Sequence, residues 1–322
     1  MSDLAAPLAL QAVWGYLLSG IALVCFSTAV LATKAASNRA NLELGFFVAL
    51  IVNVVIAGFA LIVQLLMRGT GLQWNTLAFA LFAASGVFAT YLGRWFFYES
   101  VVRFGPAKAS IFQISSPLFA ALLAWLLLGE RLSVWAAVGM MTAISGLALI
   151  AYKPGFFKTT KPGVPSIASG FSARILQSVF LLGLFSSGAY AVGNLLRGAA
   201  VRGWPEPIAG ALIGALTGLV THYLFSADKA SLMTRLRAAE PQGLGLFALV
   251  GAANISGQIT TIASMQYIPL AVAALVGLCT PLLVFPISYL LFKNQERVTP
   301  TVLAGGAFTL LGMVIVVLRP GS

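Results

Sequence analysis

The chain has 322 residues, of which 60% are hydrophobic and only 8% charged, and its mean hydropathy is +0.97. So little charge excludes a soluble fold of this length, and the chain has to be read against lipid, where a helical span takes roughly 20 apolar residues. The formal charge of +11 comes from basic residues placed singly or in pairs between apolar runs. That pattern reads as topology signals and lipid-headgroup contacts, not as a nucleic-acid interface.

Long continuous apolar runs, with no polar–apolar alternation, favour helices over a membrane β-barrel. Residues 1–11 carry a single charged side chain, Asp3. Without a basic leading segment the first run is expected to be a retained helix and not a signal peptide. By length, ten spans are predicted in chain order, at 13–33, 44–67, 76–98, 107–128, 133–152, 175–197, 207–225, 243–265, 270–292 and 299–318. Residues 153–174 hold Pro154, Gly155, Pro162, Gly163, Pro165 and Gly170 and read as a flexible polar linker. The expected organisation is a five-helix unit at 13–152, the linker at 153–174, and a second five-helix unit at 175–318. Cys25 and Cys279 both lie in apolar runs with no partner nearby in sequence, so neither a disulfide nor a metal site is expected.

One hairpin pattern occurs twice. Ser116-Pro117-Leu118, an apolar run and Gly129-Glu130-Arg131 are matched by Thr280-Pro281-Leu282, an apolar run and Gln295-Glu296-Arg297. Pro117 to Pro281 is a shift of 164, and Glu130 to Glu296 a shift of 166. Lys34 and Arg197, Glu43 and Glu206 (163 each), and Gly93 and Gly257 (164) extend the match. Five spans per unit is an odd number, so the second unit must enter the membrane in the opposite sense. The expected fold is all-α and integral to the membrane, with ten transmembrane helices in two inverted five-helix repeats. Thirteen of the 19 Lys and Arg follow odd-numbered helices and five follow even-numbered ones, with Arg94 inside a span. The positive-inside rule then puts the central linker in the cytoplasm and both termini outside.

The run Arg103-Phe104-Gly105-Pro106-Ala107-Lys108-Ala109-Ser110, followed by Ser116-Pro117-Leu118, Gly129-Glu130-Arg131-Leu132-Ser133, Gly139 and Gly146, resembles the EamA-type unit of the drug/metabolite transporter superfamily. The second copy keeps Pro281, Glu296-Arg297, Gly305 and Gly312 but lacks the Gly-Pro of the first. The resemblance implies alternating access to a central cavity, a bacterial inner-membrane location, and a small-molecule metabolite and the lipid bilayer as partners, with the chain a monomer or homodimer. It also implies termini in the cytoplasm, opposite to the charge count.

Candidate substrate-binding residues follow from polarity inside apolar spans. Arg94 is expected within the third span, sharing a helix face with Tyr91 and Tyr98 at i, i+3, i+7. A cation there faces a cavity, holding a carboxylate or phosphate, or snorkels to the helix end. Asn254 and Gln258 are i, i+4 on the eighth helix, Tyr190 and Asn194 are i, i+4 on the sixth, and Gln113 precedes Pro117 on the fourth. Amides suit a polar or zwitterionic solute, but each could instead bond a neighbouring helix. Tyr91, Trp95, Tyr98 and Tyr190 could line an apolar pocket or meet a cation. Pro117 and Pro281 are expected near mid-membrane as kinks and flex points, assisted by Pro286. His222, near a helix end, reads as structural. Gly210, Gly214 and Gly218 form a stripe for internal packing or for a dimer face.

No Asp or Glu lies at the centre of a span, which disfavours a membrane-embedded proton carrier and favours facilitated diffusion or exchange. One His and eight acids leave little for an enzyme, and no phosphate-binding loop motif is present. No cofactor is expected. The expected function is export or exchange of a small polar metabolite, an amino acid first. Nucleotide sugars, sugar phosphates or other organic anions are the alternative solutes, and a non-transporting membrane scaffold is the alternative class.

Overall fold

The computed structural model describes residues 2–116, 119, 120, 122, 123, 134–151, 179–226, 232–268, 273, 276, 277, 279–292 and 300–318. Pro117, the two Glu-Arg hairpin ends and the central linker lie outside the described residues.

Among the described residues every regular element is a helix. In chain order these are α1 (Ser2–Ala36), α2 (Leu42–Arg68), α3 (Thr76–Ser85), α4 (Arg94–Phe104), α5 (Pro106–Gln113), α6 (Val134–Ala151), α7 (Val179–Gly203), α8 (Pro207–Phe225), α9 (Leu232–Ala238), α10 (Pro241–Ser264), α11 (Thr280–Phe292) and α12 (Pro300–Leu318). A π-helical segment, Gly86–Gly93, joins α3 to α4. Among the described residues, five stretches are long and apolar enough to cross a membrane: Val13–Ala36, Leu42–Arg68, Thr76–Arg103, Pro207–Phe225 and Pro241–Ser264.

Helix limits follow local chemistry. The Asn41 side chain caps α2 by accepting from the Glu43 N–H, and Gly69, at φ 67°, closes it. Asn75 caps α3 in the same way, accepting from the Ala78 N–H. The third span was expected to end at 98 but continues to Phe104. Glu99 and Arg103 pair at 2.7 Å one turn apart, which lets both charges ride on the helix. Gly105, at φ 97°, then turns the chain, and Pro106 starts α5 at the first-turn position where its missing N–H costs nothing. The sixth span, expected to stop at 197, runs on to Gly203. This places Arg197 inside α7. The short α9 falls in a segment taken as a loop.

The chain forms two compact units, and neither follows the sequence halves. The first unit is residues 1–91 with 193–277, and the second is 92–192 with 278–322. In the first unit α1 lies along α10, α2 packs against α8 and α10, and α3 packs on α8. Its core includes Phe82, Val201, Trp204, Ala211, Ile255 and Ile262. Within lipid, helices gain little from the hydrophobic effect against one another, so close approach at small residues has to hold them. Gly45 of α2 receives the ring of Phe247 of α10, and Gly210 of α8 receives the ring of Phe82 of α3. A Cβ on Gly86 would come 2.6 Å from the Gly214 carbonyl oxygen, and one on Gly251 would come 2.6 Å from that of Ala49. In both cases the second contact is the first with each partner displaced by 165 residues: 45 and 247 against 210 and 82, 86 and 214 against 251 and 49. The stripe Gly210, Gly214 and Gly218 is therefore spent on packing against α3 and the π segment.

The ends of α2 and α8 show the same exchange. Glu43, at the start of α2, accepts from the Ser226 hydroxyl just past α8 (2.8 Å) and from Arg235 of α9 (3.3 Å). Glu206, preceding α8, accepts from Gln64 (3.2 Å) and pairs with Arg68 at the end of α2. The two helices are thus antiparallel neighbours. On its other face α2 exposes Val55, Phe59, Ile62 and Leu66, a stripe suited to lipid.

In the second unit α6 lies along α12, and α5 packs on α4 and α11. Gly312 fits against Gly139 and Ala143, and Gly146 against Gly305 and Thr309, again the same contact with partners displaced by 166. The ninth span, expected to be continuous over 270–292, has a turn at Cys279, where the Leu282 N–H meets the Cys279 carbonyl at 2.9 Å. Pro281 therefore lies in the first turn of α11 and not in mid-helix. Proline is tolerated in a first turn because the N–H it lacks would have had no intrahelical partner. Pro286 is inside α11 and exposed.

Candidate functional site

Among the described residues, two clusters of buried and half-buried polar side chains link separate elements, one in each unit. In the first unit they come from three elements: Thr90 from the π segment, Asn194 and Arg197 from α7, and Asn254 and Gln258 from α10. Arg197 is only 5% exposed. Its Nη2 donates to the Thr90 hydroxyl at 2.9 Å and its Nη1 to the Asn194 Oδ1 at 3.5 Å. The Thr90 hydroxyl faces the Gln258 Oε1 at 3.5 Å, and the Gln258 Nε2 donates to the Ala211 carbonyl at 3.4 Å. Asn254 donates to the Val250 carbonyl of its own helix at 2.9 Å. Glycine allows this convergence. Gly193 brings α7 against Ala89 of the π segment, and Gly218 brings α8 against Thr90.

Tyr91, one residue beyond Thr90, turns elsewhere. Its ring lies 5.9 Å from His222 and stacks on Phe225 at 6.2 Å. His222 is buried and meets Phe46 edge-on at 5.0 Å. Tyr91 lies in the π segment, where a wider turn holds an extra residue relative to an α-helix.

In the second unit a polar chain links three elements. The Gln113 Nε2 donates to the Ser186 hydroxyl at 2.6 Å, and that hydroxyl donates to the Gly93 carbonyl at 2.8 Å. The neighbouring Ser187 donates to the Phe112 carbonyl at 2.6 Å. Arg94 and Tyr98 are buried at 2% and 1% exposure, while Tyr190 is half-buried. Glu99 is engaged by Arg103. Of the residues singled out in the sequence, Asn194 and Gln258 thus join one cluster through Thr90 and Arg197, and Gln113 anchors the other.

Three members of these clusters were not anticipated. Arg197 was expected at the very end of the sixth span, where its charge counts toward topology, and was not among the candidate site residues. A signal was nonetheless available: its repeat counterpart Lys34 also falls at a span end, and both are buried, at 5% and 3% exposure. Thr90 and Ser186 carried no signal, since Ser and Thr in apolar helices commonly bond only their own preceding turn.

Apolar helices of membrane-crossing length, with lipid-suited outer faces and polar groups turned inward, define an integral membrane protein. Residues 13–152 match the model of the EamA-like transporter family. That segment is similar to EamA-like transporters, and the chain is an integral membrane protein. A solved crystal structure is similar at a TM-score of 0.55 and 17% identity, covering 94% of this chain and 96% of that one, which shows a shared fold. A search of curated proteins finds no match.

Proposed function

We propose that the chain is a secondary transporter with ten membrane helices in two inverted five-helix repeats, 13–152 and 175–318 joined by the linker 153–174, which moves a small polar metabolite by alternating access. The observation that carries this reading is the reciprocity of its helix contacts. Three pairs of close glycine contacts and one pair of carboxylate clasps recur with both partners exchanged at displacements of 163 to 167 residues. Reciprocal contacts between antiparallel helices are what a pseudo-twofold axis in the membrane plane generates, and they let one structural plan face either side.

Amino-acid export or exchange at a bacterial inner membrane is the leading function. Tyr91, Arg94, Tyr98, Gln113, Tyr190, Asn194, Asn254 and Gln258 are the proposed substrate contacts, and Pro117, Pro281 and Pro286 the flex points. The amides supply both donors and acceptors, as a zwitterion requires. A second reading, transport of sugar phosphates or other organic anions, is favoured by the burial of the Arg94 and Arg197 guanidiniums in otherwise apolar helices. Purified protein in liposomes, assayed for uptake and counterflow of radiolabelled amino acids and sugar phosphates, tests both. Saturable amino-acid flux is expected. Sugar-phosphate flux alone would select the second reading, and no flux of any solute would overturn the transporter reading.

A further inference from the structure

We propose that Gln113, held by Ser186, presents its amide oxygen to a hydrogen-bond-donating group of the solute, which in an amino acid is the ammonium group. This rests on the transporter reading and adds to it the chemistry of one contact and the residue that positions it. The orientation of the amide follows from counting protons. The Ser186 hydroxyl lies 2.8 Å from the Gly93 carbonyl, which can only accept, so its single proton goes there. Toward Gln113, 2.6 Å away, the same oxygen can then only accept. It has to meet the Nε2 side of the amide, because the flipped amide would set two acceptors against each other. Ser186 and Gly93 are both buried, so water does not compete for either group.

Gln113 itself is half-buried, and its Oε1 accepts from none of the described residues. Here α5 and the residues after it run alongside α7. Phe112 packs on Gly183, the Ser187 hydroxyl donates to the Phe112 carbonyl at 2.6 Å, and Phe119 faces Gly188. Both segments advance in the same sense, so Ser116, three residues past Gln113, and Tyr190, one turn past Ser186, lie toward the same end. Both are half-buried, and neither has a hydrogen-bond partner among the described residues. Ser110 and Ser100, by contrast, each bond the carbonyl four residues back, at 2.7 and 2.9 Å. Oxygens left without donors in a membrane helix are costly, and a solute N–H or O–H satisfies them. An ammonium supplies three donors and is also attracted to an aromatic face such as that of Tyr190, whereas a carboxylate supplies no donor.

The test uses the full chain, purified and reconstituted. Thermal-shift titrations and flux are measured with L-leucine and with isocaproate, which is leucine without its amino group. L-leucine is expected to bind at least about tenfold more tightly, since a site built to bond a donor rejects the analogue that lacks it. Gln113→Leu should shrink that preference by about tenfold while isocaproate binding stays within about twofold, because a hydrogen bond to a charged group is worth roughly that factor. Ser186→Ala keeps the amide but releases it, and should shrink the preference by about threefold. A merely structural role would weaken both ligands alike and leave their ratio where it was. Equal binding of the two ligands by the parent chain, no response to either, or an unchanged ratio in Gln113→Leu overturns the assignment. If Gln113→Leu does not fold, an unchanged ratio in Ser186→Ala overturns it. Selective binding of L-leucine without flux would sink the transporter reading and leave the Gln113 contact standing.

Discussion

Glu206, at the start of α8, holds Arg68 at the far end of α2, and its carboxylate is nearly buried while the arginine is half-exposed. The reciprocal clasp, Glu43 with Arg235, is about equally exposed on both sides, at 30% and 28%. The two clasps therefore differ in strength, since burial and not distance sets the cost of removing a partner.

Glu206→Gln should lower stability by roughly 1–3 kcal/mol, and Glu43→Gln by less than about 1 kcal/mol. Thermal unfolding of the purified variants in detergent reads the difference. Equal losses would show that the buried clasp gains nothing from its burial.

Gly86→Ala and Gly251→Ala should each cost roughly 1–3 kcal/mol, because the new methyl meets a backbone carbonyl that no side-chain rotation can move. Gly58→Ala, whose nearest neighbour would be a Leu212 methyl 4.0 Å away, should be neutral or slightly stabilising. The same melting assay applies. A tolerated alanine at 86 or 251 would show that the helices approach less closely than described.

Ser186→Ala should remove both the Gln113 contact and the bond to the Gly93 carbonyl, at a cost of about 1 kcal/mol. Combined with Gln113→Leu, the two losses should fall short of additive by roughly 0.5–1 kcal/mol. A strictly additive cycle would show that the two side chains act separately.

Arg94→Gln should impair flux of anionic and zwitterionic solutes selectively, leaving expression and monodispersity intact, if the buried guanidinium serves the solute. Unchanged half-saturation and maximal flux would assign Arg94 to helix packing alone.

A reporter enzyme fused within the linker should be active in the cytoplasm, as the excess of basic residues after odd-numbered helices requires. Activity on the opposite face would reverse that orientation and put both termini in the cytoplasm.

Much of the architecture was legible before any coordinate. The limits of α2 and α8 agree closely with the predicted spans, because Asn41, Gly69 and Pro207 mark them with local chemistry. The ends of α4 and α7 were missed, because hydropathy stops counting at a charge whereas a helix does not. Glu99 and Arg103 neutralise each other on α4, and Arg197 is satisfied from a neighbouring element. The candidate site divides in the same way. Asn194, Gln258 and Gln113 stood out as amides in apolar runs, but their link partners Thr90 and Ser186 looked like ordinary helical hydroxyls.

By itself the sequence determined that this chain belongs in a membrane, that its spans are helices, and that its two halves share one pattern, because lipid forbids unsatisfied backbone and a repeat survives as spacing. Only the tertiary structure decided which helices meet, that the compact units mix the two halves, and that Arg197 faces inward. The π segment changes the register along the third span, and glycines let α3, α7 and α8 approach within backbone distance. The glycine contacts join partners more than a hundred residues apart, which no local pattern encodes.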